Sequence, residues 1–110
     1  MVNVYDYAHS LARALKDSNE YQGFKVARTK LKTKPTAEKM VADFHKKQLE
    51  LQTQALQGKE PTDEQKEALQ RLYGIIQGDP DVREFLAVEQ RLTVMVQDIN
   101  KIISDALEME

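Results

Sequence analysis

Apolar side chains recur over the last third of the chain at Phe85, Val88, Leu92, Met95, Ile99, Ile102, Ala106 and Met109. The steps alternate between three and four residues, the spacing of a heptad seam on one α-helical face. Val82, Leu86, Val96, Ile103 and Leu107 widen that stripe. The pattern predicts one helix from about Pro80 to Leu107, about 40 Å long at a rise of 1.5 Å per residue. A compact domain of this size has a radius of gyration near ~13 Å, so such a helix outruns a tidy globule. The seam therefore predicts an elongated helical hairpin or bundle whose core is completed by a second copy, a dimer or higher oligomer. Self-association falls on Phe85, Val88, Leu92, Met95, Ile99 and Ile102. Packing within one chain is the competing reading, because wide stripes also occur in monomeric bundles.

Four shorter helices are predicted ahead of it. The first runs from about Asn3 to Lys16 with Asn3 as its N-cap. Val4, Ala8, Leu11 and Leu15 form its seam, flanked by Tyr5 and Ala12, and Tyr7 falls off the stripe. Asp17, followed three residues later by Glu20, predicts a capping-box start for the second helix. Tyr21, Phe24, Ala27 and Leu31 mark its inner face. Gly23 inside that helix costs about 1 kcal/mol relative to alanine, which a close helix crossing would explain. Pro35 suits the first turn of a third helix, where its missing N–H is no loss. That helix reaches about Gln57, with Met40, Val41, Phe44, Leu51, Ala55 and Leu56 as its apolar members and Gly58 as its stop. Thr62 and Gln65 form a capping box for the fourth helix, which turns Ala68, Leu69, Leu72, Ile75 and Ile76 inward. In Gln77-Gly78-Asp79-Pro80, Gly78 suits a left-handed helix end, Asp79 a cap and Pro80 a helix start. The fold class is all-α, with residues 1–110 as a single helical domain.

Composition supports a folded chain: 41% of the 110 residues are hydrophobic and 31% charged. The charge is uneven. Residues 1–58 hold ten Lys/Arg and six Asp/Glu, whereas residues 59–110 hold six and twelve. Such asymmetry suits antiparallel self-association, a charged partner, or two ordinary solvated surfaces. With no cysteine there is no disulfide, thiolate metal site or thiol nucleophile, which suits a reducing cytoplasm. No apolar run approaches the roughly 20 residues of a membrane span. The first residues lack the basic and apolar blocks of a signal peptide. A cytoplasmic protein without membrane contact is expected.

Reactive chemistry has little to stand on. His9 and His45 each lack a histidine three or four positions away, and a metal centre needs three or four converging donors. The acids Glu64, Glu67, Asp79, Asp81, Glu84, Asp98 and Asp105 fall mostly on polar helix faces; Glu89 lies beside the apolar seam. A catalytic carboxylate needs an environment that shifts its pKa. The glycines form no phosphate loop, and Ser10, Ser18 and Ser104 have no nucleophile-elbow context. Neither a catalytic residue nor a cofactor or metal ligand is assigned. One basic run, Lys25, Arg28, Lys30, Lys32 and Lys34, contains no acid, and Lys25, Arg28 and Lys32 share a helix face. That face suits nucleic-acid phosphates or an acidic partner, yet exposed aromatics are not interleaved with it. A solvated face, or a docking strip for the acidic C-terminal half, is the stronger reading.

Three blocks resemble a known family: Leu11–Leu31, Glu38–Gln52 and Leu72–Leu86, the last containing the Gly78-Asp79-Pro80 break. In order and over nearly the whole chain, they are similar to the YlbF/YmcA family of small bacterial helical proteins, and most to its uncharacterised YheA-like branch. The resemblance implies an all-α, often dimeric cytoplasmic protein. It also implies kinship with partners in a regulatory complex bearing on competence, biofilm formation, sporulation and RNA processing. Those relatives can carry iron–sulfur clusters through cysteines, which this chain lacks, so thiolate cluster binding does not transfer. The combined reading is a non-enzymatic interaction or adaptor protein that self-associates and meets an unidentified cytoplasmic protein. A nucleic-acid-associated role for the stretch 25–34 is the alternative.

Overall fold

The computed structural model describes residues 3–108. Five helices follow one another: α1 (Val4–Asp17), α2 (Asn19–Lys32), α3 (Pro35–Leu56), α4 (Asp63–Gln77) and α5 (Pro80–Ala106). All-α architecture is as the periodicity predicts, and the boundaries lie within a residue or two of those read from caps and breaks. Met109, the last member of the predicted seam, lies outside the described residues.

Local chemistry sets most helix ends. Asn3 accepts a hydrogen bond from the Tyr5 amide at 2.9 Å and starts α1. Thr62 and Gln65 form the reciprocal box expected at the start of α4. At the end of α3, Gly58 takes φ +76, and the Lys59 and Gly58 amides bond back to Gln54 and Ala55. That left-handed turn is why glycine stands there. Asp79 accepts from the Asp81 and Val82 amides and Pro80 opens α5.

Two predicted details are corrected. The cap of α2 is Ser18, not Asp17. Asp17 is still helical, and the Ser18 hydroxyl accepts from the Tyr21 amide at 3.1 Å. Gly78 keeps right-handed helical angles, φ −83 and ψ −7, instead of the left-handed conformation. The change of direction falls on Asp79, whose extended backbone leads into Pro80.

α2 and α5 form an antiparallel spine. Gly23 abuts Val88, and eleven residues further along α2's direction Lys34 pairs with Asp81, seven residues earlier in α5. Phe24 and Phe85 rings meet at 5.5 Å across it. α3 and α4 pack as a hairpin against the N-terminal half of α5. The core is Ala27 and Leu31 of α2, Ala37, Val41 and Phe44 of α3, Leu72 and Ile76 of α4, and Val82, Phe85 and Val88 of α5. An edge-on contact of Phe44 and Tyr73 at 5.4 Å joins α3 to α4. Ala37 is a core member that the apolar pattern did not single out. Ala55, Leu56 and Ile75, expected inside, are exposed. The last turns of α3 run beyond the reach of α5, leaving Leu56 90% exposed.

The core therefore occupies one end of the molecule. α1 buries no residue, and α2 is the one described helix whose Cα atoms come within 8 Å of its own. Its tyrosines are outside: Tyr7 as its off-stripe position suggested, and Tyr5, which flanks the stripe. The whole measures 56 × 38 × 16 Å with a radius of gyration of 17.6 Å, well above the ~13 Å of a compact domain.

Candidate interaction surface

α5 divides along its length. Phe85 and Val88 are buried under α2 and α3; Leu92, Met95 and Ile99 are half-buried; Ile102, Ile103 and Leu107 are exposed. The six residues read as a self-association seam thus separate into three sets. Phe85 and Val88 are occupied in this chain's own core, Leu92, Met95 and Ile99 are partly covered, and Ile102 is open. The cover simply runs out, because α2 ends its overlap with α5 near Glu20 and Arg91, which border the same shallow cleft.

A second uncovered stripe lies on α1. Val4, Ala8, Leu11 and Leu15 recur at helical spacing, and Val4 and Tyr5 are 74% and 77% exposed. The direction of this helix is fixed at a single residue. Ser18 is extended, at φ −66 and ψ 151; its hydroxyl donates to the Leu15 carbonyl at 2.6 Å while capping α2. Gln22 Nε2 adds a hydrogen bond to the Lys16 carbonyl at 2.7 Å.

Of the basic run, Lys25, Arg28 and Lys32 are exposed on α2. The Arg28 guanidinium lies 5.6 Å from the centre of the Phe24 ring, a cation–π contact. Lys34 pairs with Asp81, so the basic and acidic halves meet within one chain at that point. The hydrogen bond and charge of Lys34 hold the Asp81 carboxyl below its ordinary value, and Asp81 in turn raises Lys34.

Sequence reasoning missed one polar contact. His45 Nε2 lies 2.7 Å from Glu89 Oε1, tying α3 to α5 beside Phe44 and Phe85. The signal was there: Glu89 is the acid beside the seam, and His45 follows the buried Phe44. Next to this pair is a cleft of about 380 Å³ bordered by Gln48, Tyr73, Arg83 and Gln90. A groove of about 370 Å³ runs between α3 and α4, bordered by Lys47, Glu50, Leu51, Gln65 and Ala68. Among the described residues, no three His, Cys, Asp or Glu side chains converge as a metal site would require. His9 is exposed on α1. No described helix is long and apolar enough to cross a membrane. Exposed apolar helix surface among the described residues includes Val4, Tyr5 and Tyr7 on α1 and Ile102, Ile103 and Leu107 at the end of α5.

Known proteins resemble this chain over nearly its whole length. The family model described as "Control of competence regulator ComK, YlbF/YmcA" matches residues 4–108. A UPF0342 protein of Symbiobacterium thermophilum is 56% identical over 107 residues, covering 97% of this chain and 96% of that protein. A UPF0342 protein of Caldicellulosiruptor saccharolyticus is 46% identical over 110 residues, covering 100% and 92%. Among solved structures, a "Protein of Unknown Function (DUF964) from Bacillus stearothermophilus" superposes with a TM-score of 0.78 at 23% identity, covering 96% of this chain and 92% of that one. That last likeness is one of fold.

Proposed function

Because this chain belongs to the YlbF/YmcA family, we propose that it is a non-enzymatic, cytoplasmic interaction protein that self-associates and presents helical surfaces to a regulatory protein partner. The observation that carries the reading is the apolar stripe of α5, half-buried at Leu92, Met95 and Ile99 and exposed at Ile102, Ile103 and Leu107. Exposed apolar stretches of this kind mark association surfaces. The family description, control of a competence regulator, supports a regulatory reading.

Light scattering across a concentration series tests it. The intact chain is expected to be dimeric or larger, and Ile99→Asp to shift it to monomer while the helical circular dichroism persists. A charge left unpaired in an apolar contact costs several kcal/mol, enough to dissolve a small interface. An intact chain that stays monomeric at high concentration would refute self-association. Affinity capture from cytoplasm, with and without nuclease, tests the partner.

A second reading has one observation in its favour. Lys25, Arg28 and Lys32 are exposed on one face of α2, and none has a carboxylate in salt-bridge range among the described residues. If that face holds nucleic acid, binding weakens steeply with salt and is lost when all three become glutamate. Captured partners that vanish with nuclease would favour it.

A further inference from the structure

The stripe of α5 needs a cover, and this chain carries one that it does not use on itself. α1 is 14 residues, about 21 Å, and the partly covered or open part of α5 from Leu92 to Ala106 is of nearly equal length. Both are amphipathic in the same sense, with apolar residues at steps of three and four and charges behind. In α1 the polar face is Asp6, His9, Arg13 and Lys16; in the end of α5 it is Asp98, Lys101 and Asp105. Yet no Cα of α1 comes within 8 Å of a Cα of α5 in one chain, because the Ser18 joint turns α1 off the line of α2.

We propose that α1 of one copy covers the free stripe of α5 on a second copy, and reciprocally, so that the self-association surface is built from both ends of the chain. The proposal rests on the self-association reading above and names the segment that completes it. Under a two-fold axis one set of residues serves both copies, so each molecule contributes one α1 and one α5 stripe and no apolar stripe is left over. An α5-to-α5 contact would leave both α1 stripes in water. α1 itself holds two basic and two acidic residues, and α5 from Leu92 to Ala106 holds one and two, so the contact brings together no strong like charge. Tyr5, the most exposed side chain of the α1 stripe, would gain apolar cover there while its hydroxyl stays at the wet rim.

Charge-swap complementation tests it. Leu11→Arg and Ile102→Asp lie outside the buried core, so both chains are expected to keep their circular dichroism. Each alone is expected to weaken the dimer at least tenfold. Mixed one to one, the two should restore it, because one contact then pairs arginine with aspartate and the other is unaltered. The chain has no cysteine, so a Leu11→Cys chain mixed with an Ile102→Cys chain is an independent check: disulfides should join unlike chains. Three outcomes would overturn the proposal. One is a Leu11→Arg chain as tightly dimeric as the parent. Another is mixing without recovery. The last is disulfides formed only between like chains. If the parent is itself monomeric, the self-association reading fails as well; if the parent dimerises and Leu11→Arg does not matter, only the placement of α1 fails.

Discussion

Gly23 shows how a single residue can be read too literally. A helix-interior glycine invites the explanation of a close crossing, and α5 does pass there. A Cβ built at Gly23, however, would meet Val88 Cγ1 at 3.8 Å, an ordinary van der Waals contact. Gly23→Ala should therefore stabilise the fold by about 0.5–1 kcal/mol, through lower backbone entropy in the unfolded chain and better helix propensity. A raised midpoint in urea with an unchanged slope is the expected signature; a lower midpoint would mean the crossing does need glycine. Lys34 and Asp81 illustrate a different residue-scale effect. Asp81 is lowered from 3.8 by its hydrogen bond to Lys34, and Lys34 is raised from 10.5 by the same bond. The Asp81 contribution is present above the ordinary carboxylate value and is lost as pH falls through its lowered one. The Lys34 contribution is present below 10.5 and is lost as pH rises through its raised value. The pair thus steadies the α2–α5 spine evenly across neutral pH. Replacing Asp81 with Asn should leave the neutral-pH stability curve flat and soften the acid limb in a pH series of thermal melts.

At the scale of the element, what was legible in the sequence is what is local. Asn3, Pro35, Gly58, Thr62 with Gln65, and Asp79-Pro80 act on backbone groups within a few positions, so their roles can be read without knowing the fold. The exceptions are instructive. At Ser18 and Asp17 two adjacent side chains compete for one cap, and the pattern alone does not choose. The face a helix turns inward was legible too, as Phe24, Ala27 and Leu31 show. Which faces find cover was not. Periodicity states that a stripe needs a neighbour, and only tertiary contacts say whether the same chain provides it. That is why Val41 and Phe44 are buried while Ala55 and Leu56, on the same helix, are exposed. It is also why the α5 seam required division into an inner and an outer part. Amide exchange should display the difference. In dilute, monomeric conditions α1 is expected to exchange far faster than the α2–α5 spine, because opening it uncovers no buried side chain. At concentrations where the chain associates, α1 should slow markedly; uniform slow exchange in the monomer would contradict an uncovered α1.

At the scale of the molecule, one joint governs the outline. α1 and α2 are separated by Ser18 alone, held by its hydroxyl and by Gln22, with no loop to absorb movement. α1, about 21 Å long, projects from that residue. By simple leverage, ten degrees of rotation there carries the far end of the helix roughly 4 Å, most of a helical turn. Small changes in two backbone torsions are thereby magnified into the aim of an entire arm. Mutations at Ser18 or Gln22 would steer the arm without touching the surface it is meant to reach, and relatives of similar core could differ in how their copies fit together through this one articulation.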